Sequence, residues 1–205
     1  MARVLILFAH PALEKSRVHR RLIREAYTVE GVTVNDLYEE YPDFQIDVPR
    51  EQALLLEHDL IVFQHPLYWY STPAILKQWQ DLVLEHGWAY GSRGDALRGK
   101  VALSLISTGG AEAAYQPGGF NRHTLAEFLA PIAQTVRLCK MVYLPPYVIY
   151  GAHRMNDEDI MRAVARYREV LLALRDERIH HPAVRDLPVL NGAVHALVEG
   201  SYDER

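Results

Sequence analysis

Three short segments hold most of the side chains that can do chemistry in this chain. They are Ala9-His10-Pro11-Ala12-Leu13-Glu14-Lys15-Ser16-Arg17-Val18-His19, Pro66-Leu67-Tyr68-Trp69-Tyr70-Ser71, and Ser107-Thr108-Gly109-Gly110. The first leads into a helix start, where free backbone N–H groups and the helix dipole favour an anion such as a phosphate. Ser16 can add a hydroxyl there, and His10, Arg17 and His19 can donate to anionic oxygens. Ser16 serves equally well as a plain N-cap. The second segment sets three aromatics side by side where a loop is normally polar. Their side chains cannot all point inward, so at least one offers a face or edge to a flat ring, unless all three only cover the core. In the third, two glycines let the backbone come close to a ligand and expose N–H donors. Such donors can stabilise negative charge in the manner of an oxyanion hole.

Other chemistries lack their motifs. The chain has no G-x-x-x-x-G-K-[ST] phosphate loop, no G-x-G-x-x-G fingerprint and no G-x-S-x-G elbow. His180-His181 and the remaining histidines have neither zinc spacing nor cysteine partners, so no metal site is expected. Cys139 is the single cysteine, which rules out an intrachain disulfide and, among apolar neighbours, reads as a small buried hydrophobe.

The elements around these segments alternate. Arg3 to Ala9, Asp59 to His65 and Lys100 to Ile106 are apolar runs of strand length, and each one ends at one of the three segments. Val32 to Tyr38 reads as a more exposed strand, and Met141 to Tyr150 as a fifth strand interrupted by proline. Helices are expected over Ser16 to Tyr27, Pro49 to His58, a segment from Thr72 (N-cap) and Pro73 (first position) to near Gly87, 122 to 138, and Asp157 to Arg178. Strands alternating with helices imply a parallel sheet covered on both faces. Five of them give an α/β, flavodoxin-like three-layer sandwich with strand order 2-1-3-4-5, whose ligands sit beyond the carboxyl ends of the strands. The three segments therefore read as three walls of one pocket. The expected organisation is one domain over residues 1–179 and a tail over 180–205, in which Leu187 to Leu197 is apolar enough to pack on something.

Composition sets wider limits. Of 205 residues 49% are hydrophobic and 23% charged, the profile of an ordinary globular domain. A net charge of -4 offers no basic surface for nucleic acid. No apolar stretch reaches the length of a membrane span, and Val4-Leu5-Ile6-Leu7-Phe8 begins without a signal-peptide pattern, so a cytoplasmic protein is expected.

The set of loops resembles the flavin site of the NAD(P)H:quinone oxidoreductase (DT-diaphorase-like) family. The resemblance spans Arg3 to about Arg175 and is most specific over Trp69-Tyr70-Ser71-Thr72-Pro73-Ala74-Ile75-Leu76-Lys77 and Gly87-Trp88-Ala89-Tyr90-Gly91. Tyr41-Pro42-Asp43-Phe44, Pro49-Arg50-Glu51-Gln52-Ala53-Leu54 and Phe63-Gln64-His65-Pro66-Leu67-Tyr68 are similar to the subgroup of ancillary proteins of Kef-type potassium-efflux systems. The resemblance implies that His10 and Ser16, Arg17, Val18 and His19 hold the phosphate and ribityl chain of FMN, or of FAD. It sets Leu67, Tyr68, Trp69 and Tyr70 against the isoalloxazine ring, with Ser107, Thr108, Gly109 and Gly110 at its pyrimidine edge. It implies NAD(P)H as two-electron donor, a quinone as acceptor, and Tyr115 in the catalytic pocket. Where the family carries its catalytic histidine, six residues after that tyrosine, this chain has Asn121. His123, two further on, reads either as a proton source or as an exposed loop residue. The family further implies a homodimer, with Tyr41 to Phe44 and Trp88 to Tyr90 at the subunit boundary. The subgroup implies a Kef potassium/proton antiporter as partner and a peripheral place at the inner membrane. Two roles follow from it: an enzyme, or mainly a regulatory subunit with little quinone turnover. A one-electron flavodoxin is a third reading, which the Tyr-Trp-Tyr loop disfavours.

Overall fold

All five residues of β1 (Val4–Phe8) are buried, which requires cover on both faces of the strand. The computed structural model describes residues 1–179 and 184–198. In it β1 pairs in parallel with β2 (Val32–Asp36) on one side and β3 (Leu60–Pro66) on the other. β3 pairs with β4 (Val101–Ser107), and β4 carries both β5 (Val142–Tyr143) and β6 (Tyr147–Ile149), all in parallel. The order β2-β1-β3-β4-β5 is the one expected from the sequence. β5 and β6 are two halves of one strand position, parted by Leu144-Pro145-Pro146, where two residues lack the N–H a ladder needs.

The alternation of side chains along the strands divides the core into two layers. Leu5, Leu7, Ile61, Phe63 and Ala102 pack beneath α3 (Val48–Glu57), α4 (Ala74–Val83) and α6 (Ala130–Leu138). Val4, Ile6, Phe8, Val62 and Leu103 pack beneath α1 (His19–Ala26) and α7 (Asp157–Arg175). Leu190, Ala193 and Val194 join this second layer through α8 (Asn191–Val198), and Asn191 bonds both backbone groups of Val148. His180 and His181 lie outside the described residues.

Several boundaries differ from the sequence reading. Pro73, not Thr72, occupies the N-cap of α4, with extended backbone and no side-chain cap, and Leu76 N–H closes the turn on its carbonyl. The helix expected over 122–138 is two pieces, α5 (Leu125–Phe128) and α6. Arg122 sits at φ 58, so the helix cannot start there. It starts instead at the Thr124–Glu127 capping box, and Pro131, lacking an N–H, belongs to the first turn of α6. α1 begins at His19 and β2 stops at Asp36, whose carboxylate accepts the Tyr38 N–H and starts the short α2 (Leu37–Glu40). α7 ends at Arg175, short of Arg178, with Glu177 left-handed at φ 55.

Candidate functional site

The strand registers bring the three segments to one edge of the sheet: Phe8 lies opposite Gln64, Pro66 opposite Ser107, and Ser107 opposite Ile149. Beyond that edge lies a cavity of about 660 Å³, within the size range of small-molecule and cofactor sites. It is walled by the loops after β1, β3 and β4, as the sequence implied, and by a fourth after β6.

One end of the cavity is polar and deep. Ser16 Oγ accepts the His19 N–H at 3.0 Å, so Ser16 caps the first turn and keeps its own O–H to donate. Among the described residues the Arg17 and Val18 N–H groups have no acceptor, which leaves donors where an anion would sit. The Arg17 guanidinium is turned to α7, donating to Met155 O at 3.0 Å and Asp157 Oδ1 at 2.8 Å. Its charge is committed there rather than to the cavity. His10 Nδ1 accepts the Ala12 N–H at 3.2 Å, which puts the proton of the neutral ring on Nε2. His19 is fully enclosed. Its Nε2 lies 2.7 Å from Ser107 Oγ, its Nδ1 has no partner, and the His10 ring centroid is 5.2 Å away. Burial first, then His10 and His65 nearby, hold the His19 imidazole well below the usual histidine range. Burial also lowers His10.

The other end is aromatic and open. Trp69 and Tyr70 both have left-handed backbones, at φ 48 and φ 64, an unfavourable conformation for bulky residues that is found at ligand clamps. Trp69 is 94% exposed, and Phe120 is 89% exposed across the mouth. Tyr70 stacks on Phe128 at 5.0 Å and donates to Asn121 Oδ1 at 3.3 Å. Tyr115 is buried, packed on Phe128 and Tyr150.

Between the two ends, Gly110 O accepts from both the Gly151 N–H and Thr108 Oγ1, each at 2.9 Å, which fixes the glycine turn. The Gly109 and Gly110 N–H groups have no acceptor among the described residues. A Cβ on Gly109 would come 2.9 Å from the His153 ring, and one on Gly110 3.2 Å from the Tyr115 ring. The glycines thus make room for the protein's own rings as well as for a ligand.

Every sequence candidate lines this cavity except His123. His123 is exposed, edge-on to Phe128 at 5.7 Å and with Nδ1 3.8 Å from Glu127. Lys15, Phe120 and His153 line the cavity and were missed. His153 follows the last strand, so the rule that ligands lie beyond strand ends points to it. Tyr41 and Ala89, expected at a subunit boundary, are buried within this chain, and Phe44, Trp88 and Tyr90 pack against its core. Burial pushes the Cys139 thiol up to about 11, so it stays protonated and inert. No metal cluster occurs among the described residues, and none of their helices is long and apolar enough to cross a membrane.

The model of the family described as Flavodoxin-like fold matches residues 2–171. The chain belongs to the flavodoxin-like fold family. Among curated relatives it is 48% identical over 169 residues to general stress protein 14 of Bacillus subtilis, covering 82% of this chain and 97% of that one. It is 47% identical over 169 residues to the glutathione-regulated potassium-efflux system ancillary protein KefG of Serratia proteamaculans (82% and 92%). Three solved members of the fold superpose well. One is a chain described as a thermophilic tryptophan halogenase from Streptomycin violaceusniger, with TM-score 0.80, 47% identity and coverage of 82% and 98%. Another is general stress protein 14 of Treponema denticola in complex with FMN, with TM-score 0.77, 37% identity and coverage of 85% and 98%. The third is an NADPH-quinone reductase from P.pentosaceus, with TM-score 0.74, 32% identity and coverage of 82% and 96%.

Proposed function

We propose that this chain is an FMN-dependent NAD(P)H:quinone oxidoreductase that also serves as the cytoplasmic ancillary subunit of a Kef-type potassium/proton antiporter. The observation that carries the reading is a single cavity with unpaired donors at its deep end and aromatic faces at its mouth. Such a site fits a phosphorylated chain ending in a flat ring. The FMN complex and the NADPH-quinone reductase among the similar structures support it, and the KefG relative supports the transporter role.

Bound FMN supplies the two-electron chemistry, and the protein supplies binding, orientation and charge stabilisation. Ser16, His10, His19 and the Arg17 and Val18 N–H groups hold the phosphate. Leu67, Tyr68, Trp69 and Tyr70 lie along the ring. The Gly109 and Gly110 N–H groups, with Ser107 and Thr108 behind them, meet its polar edge, where their donors favour the added negative charge of the reduced state. NAD(P)H and a quinone use the open mouth in turn. Tyr115 donates a hydrogen bond there, and Asn121 positions Tyr70. Exposed Trp69 and Phe120 at the mouth support a homodimer that covers this end.

The test is to purify the protein, titrate it with FMN, FAD and NADPH, and assay NAD(P)H oxidation with a quinone. FMN binding with quinone-dependent turnover is expected; no flavin binding would refute the reading. A second reading, a regulatory subunit with little turnover, is favoured by Asn121 standing at the cavity wall while His123 lies outside it. FMN binding without NAD(P)H oxidation, together with capture by the transporter's cytoplasmic domain, would select it. Halide-dependent modification of tryptophan, assayed alongside, would favour the chemistry in the halogenase neighbour's name.

A further inference from the structure

The deep end of the cavity has an unusual charge balance for an anion site. Arg17, one of the two cations flanking Ser16, is bound to Asp157 and Met155, and the other, Lys15, lines the cavity. Beside them the cavity wall holds a pair of imidazoles whose ring centroids are 5.2 Å apart, one of them fully enclosed. We infer that His10 and His19 form a proton-loading pair, so that capture of FMN takes up a proton and selects a phosphomonoester over a phosphodiester. This inference rests on the FMN reading above.

Hydrogen bonding supports it atom by atom. In the neutral state His19 can satisfy one ring nitrogen, at Ser107 Oγ, and leaves Nδ1 buried without a partner. As an imidazolium it donates from both nitrogens, Nε2–H to Ser107 Oγ and Nδ1–H to the ligand oxygen. His10 is held by the Ala12 N–H as an acceptor at Nδ1, so its Nε2–H is the available donor. A proton on His10 Nδ1 would have to displace that bond, whereas His19 Nδ1 has no hydrogen bond to lose.

Other titratable groups surround the pair. His65, at the end of β3, is buried and held at about 4 by burial, hence neutral. Tyr68 meets His10 edge-on at 5.8 Å. Glu14, in the turn before Ser16, attracts a proton to His10. Lys15 and His153 line the cavity, and Arg17 and Arg21 share Asp157 at the α7 start. Burial lowers both rings in the free protein, and a phosphate dianion beside them reverses that. The complex therefore holds more protons than its separate parts, and affinity falls as pH rises. A phosphomonoester with a second pKa of about 6 arrives as a dianion at pH 7.5. The pyrophosphate diester of FAD carries one charge on each phosphate and pulls a proton less strongly.

The experiment is isothermal titration of the purified full chain with FMN, FAD and riboflavin in buffers of different ionisation enthalpy. For FMN at pH 7.5 the expected result is uptake of about one proton, with affinity falling about tenfold from pH 7.5 to 8.5. FAD and riboflavin should bind more weakly, by at least about tenfold for FAD, with uptake near zero. His19→Asn keeps a donor but cannot hold the proton, and should cut the uptake by more than half. His10→Asn, at a less buried ring, gives a second readout should the first variant fold poorly. FMN binding without proton uptake, or uptake unchanged in both variants, would overturn the inference while leaving the flavin reading intact. Absence of flavin binding would overturn both.

Discussion

Two buried polar clusters lie within this one sheet sandwich, and they differ in how completely they are satisfied. On the α3/α4 face, the fully buried Glu51 carboxylate accepts from Asn35 Nδ2, Tyr41 OH, Trp79 Nε1 and Arg50 NH1, all at 2.6–3.0 Å. At the carboxyl edge, His19 Nδ1, His65 Nε2 and Gln64 Nε2 are buried without partners. Gln64 uses only its Oε1, which accepts from Tyr167 OH at 2.8 Å. An unpaired buried polar atom costs free energy comparable to a lost hydrogen bond. The first cluster is complete and holds the fold together; the second is incomplete, and one of its members, His19, lines the cavity.

Breaking the complete cluster should have the largest effect. Glu51→Ala strands the Asn35, Tyr41 and Trp79 donors, while Arg50 keeps Glu40, and should cost about 3–5 kcal/mol of stability, read from the midpoint of urea unfolding. FMN affinity of the folded fraction should hardly change. Similar losses of stability and of FMN affinity would erase the distinction.

On the other side of the comparison, Ser16→Ala removes a cap and a donor. Stability should drop by about 1 kcal/mol, and FMN binding by about 1.5–3 kcal/mol, roughly ten- to a hundredfold in Kd. Fluorescence titration with FMN checks this, and a loss confined to stability would return Ser16 to plain capping.

The unpaired histidines should also show in acid. Burial holds folded His65 at about 4, against an unfolded value of about 6.5. Between those values the unfolded chain binds the extra proton, so stability falls as pH drops through that window. The expected contribution is on the order of 2–3 kcal/mol. His19 acts in the same sense, being lowered by burial and by His10 and His65. Asp36 acts in the opposite sense, because burial raises its carboxyl to about 6 and the folded state there keeps the proton. The clean measure is therefore a difference: His65→Asn should flatten the stability profile from pH 6.5 to 4 relative to wild type. Parallel profiles would contradict the assignment.

The smallest effect on stability is expected at the mouth. Trp69→Ala removes an exposed ring, so unfolding should shift by no more than about 0.5 kcal/mol. NAD(P)H or quinone KM should rise, because stacking area is lost where the substrates enter. An unchanged KM would take Trp69 out of the site.

How far each feature was legible follows from its physics. The buried strands and their order were readable because Val4–Phe8 and Leu60–Phe63 are continuous apolar runs and Val101–Ile106 is apolar but for Ser104. The start of α5 was not, because Arg122 takes a left-handed backbone and Thr124 caps two residues later. The deep wall was readable from Ser16 and its neighbours. The commitment of Arg17 was not, since its partner Asp157 is distant in sequence. His153 was legible by the rule that ligands lie beyond strand ends, since the strand expected over Met141 to Tyr150 ends just before it. The role of Glu51, like that of Arg17, was invisible: Asn35, Tyr41 and Trp79 converge on it only once the chain has folded.

The central claim is that the incomplete cluster and the aromatic mouth form one flavin redox site. The most direct test is an anaerobic single-turnover experiment on the FMN-loaded protein, following the visible flavin band. Bleaching by NADPH and recovery on adding one equivalent of quinone is the result this account predicts. A bound flavin that NADPH leaves oxidised, or a protein that takes up no flavin, would contradict it.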